Sequence, residues 1–404
     1  MKLTHFNHGI LNDIKLERYK KQGFYLNGKK KANPSLKIAN SWRGDQDNLT
    51  QLHAVVDRNI KRLEVYYDFL LSKQVSNLSS SLQKASDLES LILSFKASHE
   101  FADQQLISLG HSLKTLNKLT VLDMEIQEPK RISSYGFYKF AAGLANLRHL
   151  QSFEFTIEWC DLADEALSRL AQSLSDLSDL RSLELNIIRL QNLNAGFLAA
   201  LAKSLEKLKK IESLTLDISW CINIPEESII KFCETIGKLS KLKKLSFTCR
   251  RCQTSDAAIA ALTHAFSNLK GIQSLNLDMY GCGETKLVEL FTTFEKMEDL
   301  EKISLYLGPG RNDPTSFGDF GIKYLGEKVQ NLTKLKDFSL HACEFENLTD
   351  QGRINLGSCL AKINTLEAVQ LKCSTCKNLT VEGTNKVGEI LSTNQNITKA
   401  FLSQ

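Results

Sequence analysis

The stretch LQSFEFTIEWCDLADEALSRLAQSLSDLSDLRSLEL, residues 150–185, holds one structural period and the start of the next. Leu150, Phe153 and Phe155 open it, and Leu180, Leu183 and Leu185 repeat the same apolar triplet. The last two members of each triplet are two apart, which places both on one face of a short strand. Between the triplets the apolar spacing becomes three or four, at Leu167, Leu170, Leu174 and Leu177, which marks one face of a helix. The unit is therefore one strand followed by one helix.

Outward from this stretch the triplet recurs upstream at Leu88, Leu91, Leu93 and at Leu119, Leu122, Met124. Downstream it recurs at Ile211, Leu214, Leu216; Leu242, Leu245, Phe247; Ile272, Leu275, Leu277; and Leu300, Ile303, Leu305. Leu335, Phe338, Leu340 and Leu366, Val369, Leu371 follow, and weaker copies stand at Ile60, Leu63, Val65 and Ile397, Ala400, Leu402. Of the eleven intervals between the twelve copies, eight are 30 or 31 residues, a register that chance does not produce. Helix starts carry Asp, Ser or Thr, as at Ser255-Asp256 and Thr349-Asp350, whose side-chain oxygens can accept from free backbone N–H groups.

A single unit cannot bury both its strand face and its helix face, whereas a stack buries both. The fold class expected is α/β: a solenoid of about twelve strand-helix repeats. Parallel strands line the concave side and helices the convex side. At about 4.8 Å per strand the inner arc is about 55 to 60 Å, enough to embrace a small globular domain.

With these triplets the chain resembles leucine-rich-repeat proteins of the ribonuclease-inhibitor type, over about residues 49–404. The resemblance implies a horseshoe that works by binding other proteins, with no cofactor. Two departures stand out. The period exceeds about 29, the upper end for such repeats, and the polar Asn/Cys ladder of that family is incomplete.

Composition agrees with a folded chain: 404 residues, 42% hydrophobic and 24% charged, with 5 prolines. The first twenty residues lack a long apolar run, so neither a signal peptide nor a membrane span is expected. An intracellular, cytoplasmic location follows as the expectation, with cytoskeleton, cilium and nucleus left open, and the ten cysteines are read as reduced. The net charge of +5 is uneven: residues 1–45 carry +7 and the remainder carries −2. The chain divides into a basic arm and cap, residues 1–48, and the repeat domain, residues 49–404. Lys20, Lys21, Lys29, Lys30 and Lys31 lie among Tyr19, Phe24, Tyr25 and Trp42, a pattern suited to an acidic protein surface or nucleic acid.

Cys249-x-x-Cys252 and Cys373-x-x-Cys376 have metal-ligand spacing. However, Cys160, Cys221, Cys252, Cys282 and Cys376 each fall ten residues after the first member of their triplet, a packing position. The eight histidines are scattered, and no GxSxG, HExxH, Walker or dinucleotide fingerprint is present. No catalytic, metal or cofactor residue is assigned, and the chain is expected not to be an enzyme.

The concave surface follows from strand alternation. Early repeats place Asp123, Glu125, Glu154, Glu184 and Asp217 there as an acidic stripe, suited to a basic partner segment. Later repeats place Lys244, Lys302 and Lys372 in equivalent positions, with Tyr306, His341 and Phe401 nearby. The longest interval contains Leu307 to Gly318, whose Gly-Pro-Gly and Asn-Asp-Pro turns suggest a projecting contact loop. The last strand is expected to be covered by a partner or a second copy.

The function expected is a protein-protein interaction scaffold or adaptor, a structural subunit of a larger intracellular assembly, with a cytoskeletal or ciliary one in view. Regulation of a small GTPase is the alternative, although the acidic tail typical of such activators is missing. A ubiquitin-ligase substrate receptor ranks last, because residues 1–48 are basic and lack the Leu-Pro opening of an F-box.

Overall fold

A computed structural model describes residues 35–40, 60–67, 72–96, 101–129, 131–252, 256–280, 287–309 and 318–403. Lys20, Lys21, Lys29, Lys30, Lys31 and Cys282 lie outside the described residues, as does most of the Leu307–Gly318 loop.

The described residues form thirteen strands in one parallel sheet, ordered as they occur in the chain. These are β1 (Ser35–Asn40), β2 (Arg62–Tyr67), β3 (Ser90–Phe95), β4 (Val121–Gln127), β5 (Ser152–Glu158), β6 (Ser182–Ile188) and β7 (Ser213–Asp217). They continue as β8 (Lys244–Thr248), β9 (Ser274–Tyr280), β10 (Lys302–Gly308), β11 (Asp337–Cys343), β12 (Ala368–Ser374) and β13 (Lys399–Ser403). Twelve of them coincide with the twelve triplets. The extra one, β1, pairs Ser35 with Arg62 and lies within the span assigned to the arm. Its Leu36 and Ile38 keep the two-residue spacing, but Asn33 stands where other copies open with an apolar residue, which hides it from a triplet search.

The strands paired with triplets run past the last apolar residue of the triplet. In β4, Leu122, Met124 and Ile126 all point into the core, and Ile157, Ile187 and Cys373 extend β5, β6 and β12 in the same way. The helices between strands are mostly eleven residues long, and each buries one apolar face. Asp164–Leu174 buries Ala166, Leu167, Leu170, Ala171 and Leu174 against the strand layer and the neighbouring helices. Helices pack about 8 to 10 Å apart, twice the strand spacing of about 4.8 Å. The helix layer is thus the longer one, and the sheet face is the concave side.

Successive repeats are clamped by two recurring devices. At strand entry, two consecutive N–H groups donate to one carbonyl of the preceding repeat: Arg181 and Ser182 to Gln151, then Glu212 and Ser213 to Arg181. At helix entry, an aspartate in the first turn reaches the N-cap of the next helix. Asp319 accepts from Thr349 N at 2.7 Å and Thr349 Oγ1 at 2.6 Å, and Asp350 accepts from Thr380 N at 3.0 Å and Thr380 Oγ1 at 2.6 Å. The N-cap hydroxyl in turn accepts from its own helix, Thr349 from Gln351 N and Thr380 from Gly383 N. The clamp demands glycine in the first turn of the second helix, since a Cβ at Gly352 would lie 2.2 Å from Asp319 Oδ1.

The cysteines take the packing role that their register implies. The thiols of Cys221 and Cys252 donate to the carbonyls of Ile187 and Ile218 at 3.2 and 3.1 Å, and that of Cys376 reaches Ala342 O at 3.8 Å. Burial pushes the thiols of Cys160, Cys221 and Cys373 up to about 12. Among the described residues no group of three or more His, Cys, Asp or Glu side chains is placed to hold a metal ion. Among the same residues no helix is long and apolar enough to cross a membrane.

Candidate protein-binding face

Residues alternating with the core point away from the helices, and strand register sorts them into rows. In the central row Asp123 lies beside Glu154, and Glu154 beside Glu184. Ile92 and Glu64 precede them on β3 and β2, and Thr215 follows on β7. Two residues further along the strands a second row runs Glu125, Thr156, Asn186, Asp217. The five acidic residues read from the sequence thus share one face but two rows, and three of them are contiguous. Glu64 and Glu158, at the end of β5, belong to the same surface and were not singled out.

These carboxylates are partly engaged by the sheet itself. Glu125 accepts from Ser94 Oγ and Gln127 Nε2, each at 2.7 Å. Asn186 Nδ2 donates to Glu184 Oε1 and Thr156 Oγ1 at 3.0 Å, and Asp217 accepts from Ser219 N at 2.8 Å. Like charges directly opposite across strands destabilise by about 0.2 to 1 kcal/mol per pair. The row Asp123, Glu154, Glu184 brings three such like charges into register on adjacent strands.

The basic half is arranged differently from the expectation. Lys244 and Lys302 occupy the first position of β8 and β10, whereas Lys372 sits five residues into β12, so the three are not equivalent. The triplet offset accounts for the misreading: Lys244 and Lys302 precede the second apolar residue of their triplets, while Lys372 follows the third. Lys302 pairs with Asp337 at 2.7 Å. A continuous row does run through Asp278, Tyr306, His341 and Lys372. Tyr306 and His341 meet edge to face at 5.1 Å between ring centres, and Lys372 Nζ lies 5.2 Å over the Phe401 ring.

Arg250 and Asp278 were not read from the sequence as site residues, yet they anchor this half. Arg250 donates to Asp278 Oδ2 from Nε at 3.1 Å and from Nη2 at 2.9 Å. Asp278 sits at an outward position of β9, and Arg250, two residues past the end of β8, continues that strand's alternation with the buried Phe247 and Cys249, which is the signal that would have found them.

His341 Nε2 lies 3.1 Å from Ser374 Oγ, a pairing that a nucleophile and base would share. Burial first, then the positive charges of Lys372 and Arg250, hold its pKa below the ordinary histidine value. Two nearby cations disfavour the imidazolium that a general base must become, whereas a catalytic histidine has a carboxylate to stabilise it. The arrangement suits a contact residue.

No protein-family model matches this chain, and no curated protein does. The chain is similar to a solved structure described as "Crystal structure of Rad7 and Elc1 complex in yeast". The likeness is 18% in identity with a TM-score of 0.48, over 87% of this chain and 83% of that one.

Proposed function

We propose that this repeat solenoid is a non-enzymatic scaffold whose concave face receives a basic segment of another protein within a multi-subunit assembly. The observation that carries the reading is the contiguous row Asp123, Glu154, Glu184, flanked by Glu125, Glu158 and Asp217. Adjacent carboxylates cost the fold stability, and a cationic partner converts that repulsion into attraction. The long strand-helix unit supports the ribonuclease-inhibitor type of repeat as part of the same proposal. A cytoskeletal or ciliary setting is also part of it and rests on the basic arm.

The test is co-purification from native extract at moderate salt, comparing the full chain with the same chain carrying Glu154→Lys and Glu184→Lys. A defined set of proteins lost from the variant supports the reading. An unchanged set refutes the acidic face as the docking surface. Recovery of a small GTPase whose hydrolysis is accelerated would replace the scaffold with a regulator.

A further inference from the structure

Among the described residues, seven non-glycine residues in the turns that follow strands adopt a left-handed backbone: Glu128, Trp159, Arg189, Trp220, Arg251, Glu344 and Thr375 have φ between 50° and 63°. Each lies nine residues beyond the first member of its triplet. The N–H of this residue donates to a carbonyl of the next repeat, at the end of the strand for Glu128 to Glu158, Trp159 to Ile188 and Arg251 to Tyr280, and just past it for Trp220 to Arg250. The turn is therefore a fixed rung, stacked at the strand spacing of about 4.8 Å. Glycine is the residue that takes this conformation without strain, yet the middle rungs are Trp, Arg, Trp and Arg.

Their side chains interleave. Arg189 lies 4.3 Å from the Trp159 ring centre and 5.5 Å from that of Trp220. Arg251 lies 5.4 Å from Trp220 and 5.3 Å from Tyr280. Each guanidinium is thus held between two aromatic faces, and Trp220 between two guanidinium groups. Tyr280 closes one end by lying across Gly308, where a Cβ would come within 2.2 Å of the ring.

The other end is open. Among the described residues Trp159 meets one cation, Arg189, and 53% of its surface is exposed. The rung beyond it is Glu128, whose backbone N–H donates to Glu158 O beside Trp159; an acidic residue is thus the next rung to an aromatic ring whose face carries a negative quadrupole and favours cations. Glu158, the residue before Trp159, leads down β5 to Glu154 and the central acidic row.

We propose that the free face of Trp159 is the seat for an arginine side chain of the partner's basic segment. The guanidinium continues the alternating stack, and Glu128 pairs with its edge. Arginine fits better than lysine, because a planar guanidinium stacks on an indole and bonds a carboxylate in its own plane at the same time. The seat deepens the docking function proposed above and rests on it. It adds what that function lacks, a fixed point that sets where along the rim the segment begins.

The test uses the full chain and three fluorescein-labelled nonamers at low salt: one with arginines spaced by Gly-Ser, one with lysine for arginine, and one with citrulline. Fluorescence anisotropy is expected to show the arginine peptide binding most tightly and the citrulline peptide not binding. Trp159→Ala is expected to weaken arginine-peptide binding about tenfold, or 1.4 kcal/mol, and to erase the preference over lysine, while Trp159→Phe retains most of both. Glu128→Arg supplies an internal cation for the free face while leaving Trp159 in place, on a backbone that Arg189 and Arg251 already tolerate. It is expected to abolish the arginine preference and to raise the melting temperature. Unchanged arginine-peptide affinity in Trp159→Ala or in Glu128→Arg overturns the seat. If that happens while Glu154→Lys with Glu184→Lys abolishes binding, the acidic face stands without it. Loss in Trp159→Ala with no effect of the charge reversals keeps the seat and rejects the acidic row.

Discussion

Replacing Gly352 by alanine sets two well-measured tendencies against each other. In an ordinary helix the change stabilises by about 1 kcal/mol, because alanine loses less backbone freedom on folding. Here the new Cβ would lie 2.2 Å from Asp319 Oδ1 and 2.9 Å from the Asp319 Cα, both far inside van der Waals contact. Asp319 cannot retreat freely, since its carboxylate holds Thr349 N and Thr349 Oγ1 at 2.7 and 2.6 Å. Overpacking costs about 1 to 3 kcal/mol, and weakening hydrogen bonds to a charged group adds about 1.5 kcal/mol or more. Subtracting the propensity gain leaves a net loss of about 1.5 to 3.5 kcal/mol. Gly388 is the internal control: a Cβ there would meet Leu402 Cδ1 at 3.6 Å, an ordinary contact, so Gly388→Ala should stabilise by a few tenths to about 1 kcal/mol. Hydrogen exchange of the helices Asp350–Leu360 and Val381–Ser392, read alongside urea unfolding, gives each effect locally. If both substitutions stabilise, the close-approach reasoning is wrong.

Three further outcomes are expected. Glu154→Lys sets a cation between Asp123 and Glu184 and should stabilise the isolated chain by about 0.5 to 1 kcal/mol in urea while weakening basic-segment binding; a loss of stability would mean the row is not repulsive. Cys160, Cys221 and Cys373, held up to about 12 by burial, should resist iodoacetamide at neutral pH until the chain is unfolded, and fast labelling of any of them in the native protein would contradict their packing role. His341 has a folded pKa below its unfolded value, so the unfolded state binds the proton more readily and stability falls as pH drops through and below about 6.5. His341→Asn should shrink the fall in melting temperature between neutral and mildly acidic pH, and an unchanged fall would assign it to other groups.

How much was legible from the residues differs from element to element. The triplet Leu180, Leu183, Leu185 reads directly as strand and core because its inward positions tolerate only apolar side chains, and those three are fully buried. β1 escaped because Asn33 breaks the pattern at its first member while the pairing of Ser35 with Arg62 remains. The acidic face was readable for a similar reason: Asp123, Glu154 and Glu184 alternate with buried residues, and alternation fixes direction. Lys244 and Lys302 misled because a residue's row depends on its offset within the strand and not on its closeness to an apolar neighbour.

The rim stack shows the limit most plainly. The spacing of Trp159, Arg189, Trp220 and Arg251 at one repeat offset is visible in the sequence. That they form an alternating stack is not, because a turn residue's direction depends on the sign of φ, and among the described residues seven such residues are left-handed. By itself the sequence determined the period, the alternation of strand and helix, and the side of each strand that meets the core, all consequences of burying apolar groups at fixed intervals. Only the tertiary structure decided which outward groups meet across thirty residues of intervening chain, because such contacts exist only once the strands have locked into one register.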